Sequence, residues 1–168
     1  MFGRISAKSG SKAVGLAVMG ILAIASARAL PLAPGGIVPQ PGTTAAARPD
    51  LAGVVIRDAL IPFEIKNAAG AVLVNGWLQD RVVRSTFTGR LHFYYRVHNT
   101  WGAGAVTSVQ RHNYAGVATD VDWRIDGLGV VSPANASRSV AGNLVSFPFP
   151  GGISAGGESR RVFIATNR

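Results

Sequence analysis

From Asp50 onward, short β-branched and aromatic runs alternate with clusters of Gly, Pro and Asn. The runs that read as strands are Gly53–Asp58, Phe63–Asn67, Val72–Leu78, Asp80–Ser85, Arg90–Asn99, Val106–Asn113, Val117–Asp126, Leu144–Phe149 and Arg161–Thr166. Two of them alternate strictly. In Arg90–His98, Leu91, Phe93, Tyr95 and Val97 fall on one side, and Arg90, His92, Tyr94, Arg96 and His98 on the other. In Val117–Asp126, Val117, Thr119, Val121, Trp123 and Ile125 oppose Ala118, Asp120, Asp122, Arg124 and Asp126. Period-two alternation marks a strand with one face on a core and one on water. Arg161–Thr166 is apolar on both faces and is expected in the middle of a sheet. No segment keeps a 3.6-residue apolar period over three turns. Strands at this spacing, divided by turn signals, predict an all-β fold, an antiparallel β-sandwich of about 7–9 strands.

The pattern before Asp50 is different. Arg4, Lys8 and Lys12 precede an uncharged run, Ala13–Ala25, followed by small residues in two A-x-A arrangements ending at Ala27 and Ala29. This is the layout of a Sec-type signal peptide over residues 1–29, too short for an ordinary span of about twenty residues. A secreted or periplasmic location is therefore expected, with no membrane span after cleavage. Residues 30–49 hold five prolines and three glycines without an apolar period. They read as an extended linker, or as an arm lying on the domain. Residues 50–168 then form one β-sandwich domain, large enough for one core.

Composition narrows the chemistry. The formal charge is +9, but removing residues 1–29 leaves thirteen basic against eight acidic residues, a net +5. That excess suits an anionic polymer or surface and is not by itself a nucleic-acid footprint, so no nucleic-acid partner is expected. Arginine outnumbers lysine fourteen to three, a bias in keeping with a GC-rich bacterial coding sequence. The chain has no cysteine, which excludes disulfide scaffolds, thiol catalysis and thiolate metal sites. Neither G-x-G-x-x-G nor a Walker A loop is present, and no cofactor is expected.

Three motifs carry candidate chemistry. Gly152–Gly156 matches G-x-S-x-G, but no helix is expected after it, and a glycine-rich hairpin loop is the reading adopted. Asp120, Asp122 and Asp126, followed by Gly127, resemble part of a calcium loop; they are candidate metal ligands, although Arg124 among them would repel a cation and no metal is expected. His92 and His98 share a strand face but lie about 20 Å apart at 3.4 Å per residue, too far for one metal. The candidate catalytic groups are His92, Tyr94 and Asp120. The candidate binding face is Arg90, His92, Tyr94, Arg96 and His98. Should it neighbour the Asp120–Asp126 strand, a cross-strand salt-bridge ladder is expected; the functional alternative is a polar platform for a glycan or anionic polymer.

Thr86–Asn99 (TFTGRLHFYYRVHN), Ala118–Gly127 (ATDVDWRIDG), Ala136–Ser139 (ASRS) and Glu158–Asn167 (ESRRVFIATN) resemble exported bacterial β-sandwich proteins of unassigned activity that often carry a PEP-CTERM-type sorting tail. The residues through Arg168 include no PEP motif, apolar tail or terminal basic cluster, so sorting by that route is not expected. The resemblance implies no activity and no site residues. The expectation is a non-enzymatic exported binding or extracellular-matrix protein. The alternative is a small secreted polysaccharide-active hydrolase or lyase using the Arg/His/Tyr face. Oligomeric state is not indicated by the sequence.

Overall fold

The computed structural model describes residues 30–168, and the expected leader over 1–29 lies outside them. The described chain is all-β apart from one 3-10 turn at Pro49–Leu51. Its strands are β1 (Leu30–Pro31), β2 (Ile37–Pro39), β3 (Gly53–Lys66), β4 (Val72–Ser85), β5 (Leu91–Trp101), β6 (Val106–Arg111), β7 (Thr119–Trp123), β8 (Asn135–Arg138), β9 (Val145–Ile153) and β10 (Val162–Thr166). They form two antiparallel sheets, one ordered β1-β7-β10-β5-β4-β3 and the other β2-β8-β9-β6.

The alternation in β5 places Tyr95 and Val97 in the main core, with Phe93 packed against it. Val121, Phe147, Ile153 and Ile164 meet them there and are fully buried. All of β10 is buried, as its two apolar faces require of a strand between β7 and β5.

Several boundaries differ from the sequence reading. Gly53–Asp58 and Phe63–Asn67 merge into one 14-residue strand. Pro62 reads as a breaker, but β3 is an edge strand, where a missing ladder donor is tolerated. Val72–Leu78 and Asp80–Ser85 merge in the same way, since β4 follows its hairpin partner throughout. β8 (Asn-Ala-Ser-Arg) has no apolar signature and was not expected.

The linker reading of residues 30–49 is corrected in favour of the arm. Leu30 pairs with Val121 and Ile37 with Ser137, so the segment adds one strand to each sheet. Leu32 inserts into the main core. Beyond β2 the arm crosses the outer face of the larger sheet. Gly42 (φ +82) packs so closely on Trp123 that a Cβ would lie 2.6 Å from the ring. Leu51 then buries itself against Val83, Tyr94, Phe163 and Ala165, a second, smaller core on the outer face.

One buried side chain ties these parts together. The Arg138 guanidinium, on β8, donates to the carbonyls of Leu32, Tyr114, Val117 and Gly142 and to the Thr119 hydroxyl. Among the described residues it has no carboxylate partner. Arg138→Met should cost at least ~3 kcal/mol, because several buried acceptors lose their donor. Arg138→Lys should recover little of it, since an ammonium lacks the planar fork; urea unfolding of both variants checks this. Leu51→Ala should cost about 2–4 kcal/mol in the same assay.

Candidate functional site

The expected binding face lies on the outer side of the larger sheet, but it is not one continuous platform. Tyr94, at its centre, is 3% exposed. Its hydroxyl donates to the Leu51 carbonyl at 3.2 Å, and its ring tilts against Phe163 at 5.6 Å. The arm therefore caps the middle of the face and divides it in two. Tyr94 is a packing residue here and does not join His92 and Asp120.

The salt-bridge ladder expected between the two polar faces does not form, because β10 lies between β5 and β7. The charges find other partners. Asp120 pairs with Arg48 at 3.2 Å, Asp126 with Arg124 at 2.7 Å, and Arg96 with Glu158 at 3.1 Å. Local order along the chain specifies which side a residue faces, not which strand becomes its neighbour.

At one end, Arg48, Asp50, Arg90, His92 and Asp120 line a cleft of about 270 Å³. His92 and Asp120 face the same way on either side of Ala165. Their backbones are two strand spacings apart, about 10 Å, and the small Ala165 side chain leaves the space between them open. His92 is 2% exposed, and among the described residues neither its Nδ1 nor Asp120 Oδ1 has a hydrogen-bond partner. Burial holds the imidazole below its usual range, with Asp50 opposing and Arg48 and Arg90 reinforcing the shift. Burial pushes the Asp120 carboxyl up to about 6, with Arg48 opposing. Asp50 is held below the usual carboxylate range by its hydrogen bonds to Arg48.

At the other end, four arginines converge from four neighbouring strand segments. Arg81, Arg124 and Arg161 line a shallow depression beside Tyr94, and Arg96 lies near Arg161. Arg81 pairs with Asp58, Arg96 with Glu158 and Arg124 with Asp126. Among the described residues Arg161 pairs with no carboxylate; its Nη2 donates to Gln79 Oε1 at 3.1 Å. Burial, then the positive charges of Arg81 and Arg96, lower its pKa. The Nε atoms of Arg81 and Arg96 are buried and find no acceptor among the described residues. The Arg96 guanidinium lies 5.1 Å from the centre of the Trp77 ring, and His98 meets that ring edge-on at 5.0 Å. His98 Nδ1 also lies 3.8 Å from Glu158. Of the expected face, Arg96 and His98 thus belong to this end, Arg90 and His92 to the cleft. Trp77, Gln79, Arg81 and Arg161 were not singled out from the sequence. The first three stand at alternate positions of β4, so the period-two test applied to β5 would have found them.

The three candidate metal ligands diverge. Asp122 is fully buried, and its Oδ1 accepts from the amides of Gly42 at 2.8 Å and Trp123 at 2.9 Å. Asp126 accepts from Arg124 and from the Ala45 amide, and the Arg124 bonds hold it down to about 2. Among the described residues no group of three such ligands is placed to hold a metal. Ser154 of the G-x-S-x-G match is exposed in the turn after β9, and its carbonyl accepts from the Gly157 amide. This loop passes between the two sheets, from β9 to β10, so it is not a hairpin loop, and no helix follows it.

Carboxyl NMR should place the Asp120 midpoint near pH 6. Arg48→Met removes the opposing cation and should move it higher. Because the folded pKa lies above the unfolded value of about 3.9, this group favours folding more as pH falls from about 6 towards 4. Comparison with protein-family models, curated proteins and solved structures finds no match, so the functional reading rests on this geometry.

Proposed function

We propose that the protein is an exported, non-enzymatic binding β-sandwich that holds an acidic polysaccharide on the arginine end of its outer face. The observation that carries this reading is Arg161, a half-buried cation without a carboxylate partner among the described residues, set among Arg81, Arg96 and Arg124. Like charges so close repel, and an anionic group there relieves the repulsion while accepting from guanidinium donors. A planar guanidinium matches a carboxylate or sulfate in two parallel bonds, which an ammonium cannot do. Trp77 beside Arg96 adds an aromatic surface on which a sugar ring can rest. Nothing deep is needed for such a ligand, because a polymer gains affinity by repeating a modest contact.

The lyase or hydrolase alternative has less support. It needs Arg, His and Tyr around one reacting group, whereas Tyr94 is capped by Leu51 and lies outside the cleft of His92 and Asp120.

Affinity electrophoresis through polygalacturonate should retard the purified protein at low salt and release it at high salt, as expected for charge-driven contact. Neutral hydroxyethylcellulose should not retard it. Arg161→Ala should weaken retardation about tenfold, the effect of losing one charge-assisted contact of about 1.4 kcal/mol. Salt-insensitive migration, or an unchanged Arg161→Ala variant, would sink the proposal. Depolymerisation of the substrate that is lost in His92→Ala would overturn its non-enzymatic half.

A further inference from the structure

The two sheets are unequal, and this leaves part of the inner face uncovered. The four-stranded sheet ends at β6, whereas β4 and β3 continue the larger sheet beyond β5. Between that overhang and the chain leaving β6 lies a cleft of about 470 Å³. It is separate from the outer face, since its walls are the inner residues of β3, β4 and β5 and the Arg111–Tyr114 segment.

Its floor is apolar. Val82, Leu91 and Phe93 reach into it and are only half-buried, although each occupies an inward-facing position. Phe93 meets the Tyr114 ring edge-on at 6.1 Å. The Tyr114 and Tyr95 hydroxyls bond to each other at 3.0 Å, so their polar tips are satisfied and their rings stiffen the floor. The rim is basic. Arg111 stacks 4.3 Å from the Tyr95 ring centre and bonds Asp80 Oδ2 at 3.0 Å. That bond neutralises the one acid lining the cleft. Arg57, exposed on β3, also borders the cleft and has no ion-pair partner among the described residues. Arg168 also lines the cleft.

An apolar, concave floor of ligand-pocket size with a few converging polar groups is the usual form of a small-molecule site. The sign of the rim selects the ligand. A cation would meet Arg57 and Arg111, while the Asp80 carboxylate is already occupied. We propose that this inter-sheet cleft binds a small carboxylate with an apolar ring body, the ring on Val82, Leu91 and Phe93 and the carboxylate towards Arg57 and Arg111.

Isothermal titration of the whole protein with 1-naphthoate tests this. One-to-one saturable binding is expected, with 1-naphthalenemethanol, the same ring without the charge, at least tenfold weaker. Arg57→Ala should weaken naphthoate about tenfold and leave the alcohol unchanged. Val82→Trp, which fills the floor, should abolish both. Arg161→Ala, on the outer face, should change neither, which separates this site from polysaccharide binding. The proposal is overturned by absence of saturable naphthoate binding, by equal affinity for the alcohol, or by an Arg57→Ala variant that binds naphthoate as tightly as the parent. Arg57 is exposed, so that variant decides the matter even if Val82→Trp fails to fold.

Discussion

The fold depends on the burial of one guanidinium. Arg138 lies in the smaller sheet, yet its donors are spent on backbone carbonyls of the arm, of the loop before β7 and of the turn after β8, and on the Thr119 hydroxyl in the larger sheet. A charge taken out of water without a counter-ion is costly unless its donors are satisfied. Here the fork geometry of arginine supplies the satisfaction, and in doing so fixes where four segments must lie. Leu32 then enters the core beside it, and β1 and β2 can each extend a different sheet.

From that anchor the outer face acquires its shape. The arm leaves β2 and passes Trp123 at Gly42. It is held by Asp122 and Asp126 through the amides of Gly42 and Ala45, and it reaches Leu51 over Tyr94. Two of the three acidic side chains that look in the sequence like calcium ligands, Asp122 and Asp126, are thus acceptors for the backbone of the arm. What the arm covers becomes core, and what it leaves uncovered becomes either the His92–Asp120 cleft or the arginine cluster. The arm thus decides which parts of the outer face remain open.

The β-sandwich was legible because alternation is a local property. The facing of Phe93, Tyr95 and Val97, and the burial of Val162–Thr166, follow from residue types alone. Pairing order is not local: β5 and β7 read as potential neighbours, and only the insertion of β10 separates them. The arm was hidden for a related reason. Leu32 and Leu51 are single apolar anchors among prolines and glycines, and isolated anchors leave no period. Arg138 sits in Asn-Ala-Ser-Arg, where nothing marks the residue as buried. Within the site, Arg96 and His98 were visible on the polar side of β5. The fate of Tyr94 was not, since it turns on a carbonyl 43 residues away.

The placement of β10 has one more consequence. It is one of the two central strands of the larger sheet, with β7-β1 on one side and β5-β4-β3 on the other, and it is also the last strand described along the chain. The first two strands likewise find their partners only about ninety to a hundred residues later, at Val121 and Ser137. Hairpin β3–β4 can form from its own residues, but the two halves of the sheet have nothing to join them until Val162–Thr166 has been synthesised. Contacts so distant in sequence make folding slow. Closure of the larger sheet therefore waits for Val162–Thr166, and a chain cut short of β10 has two half-sheets and no strand to join them.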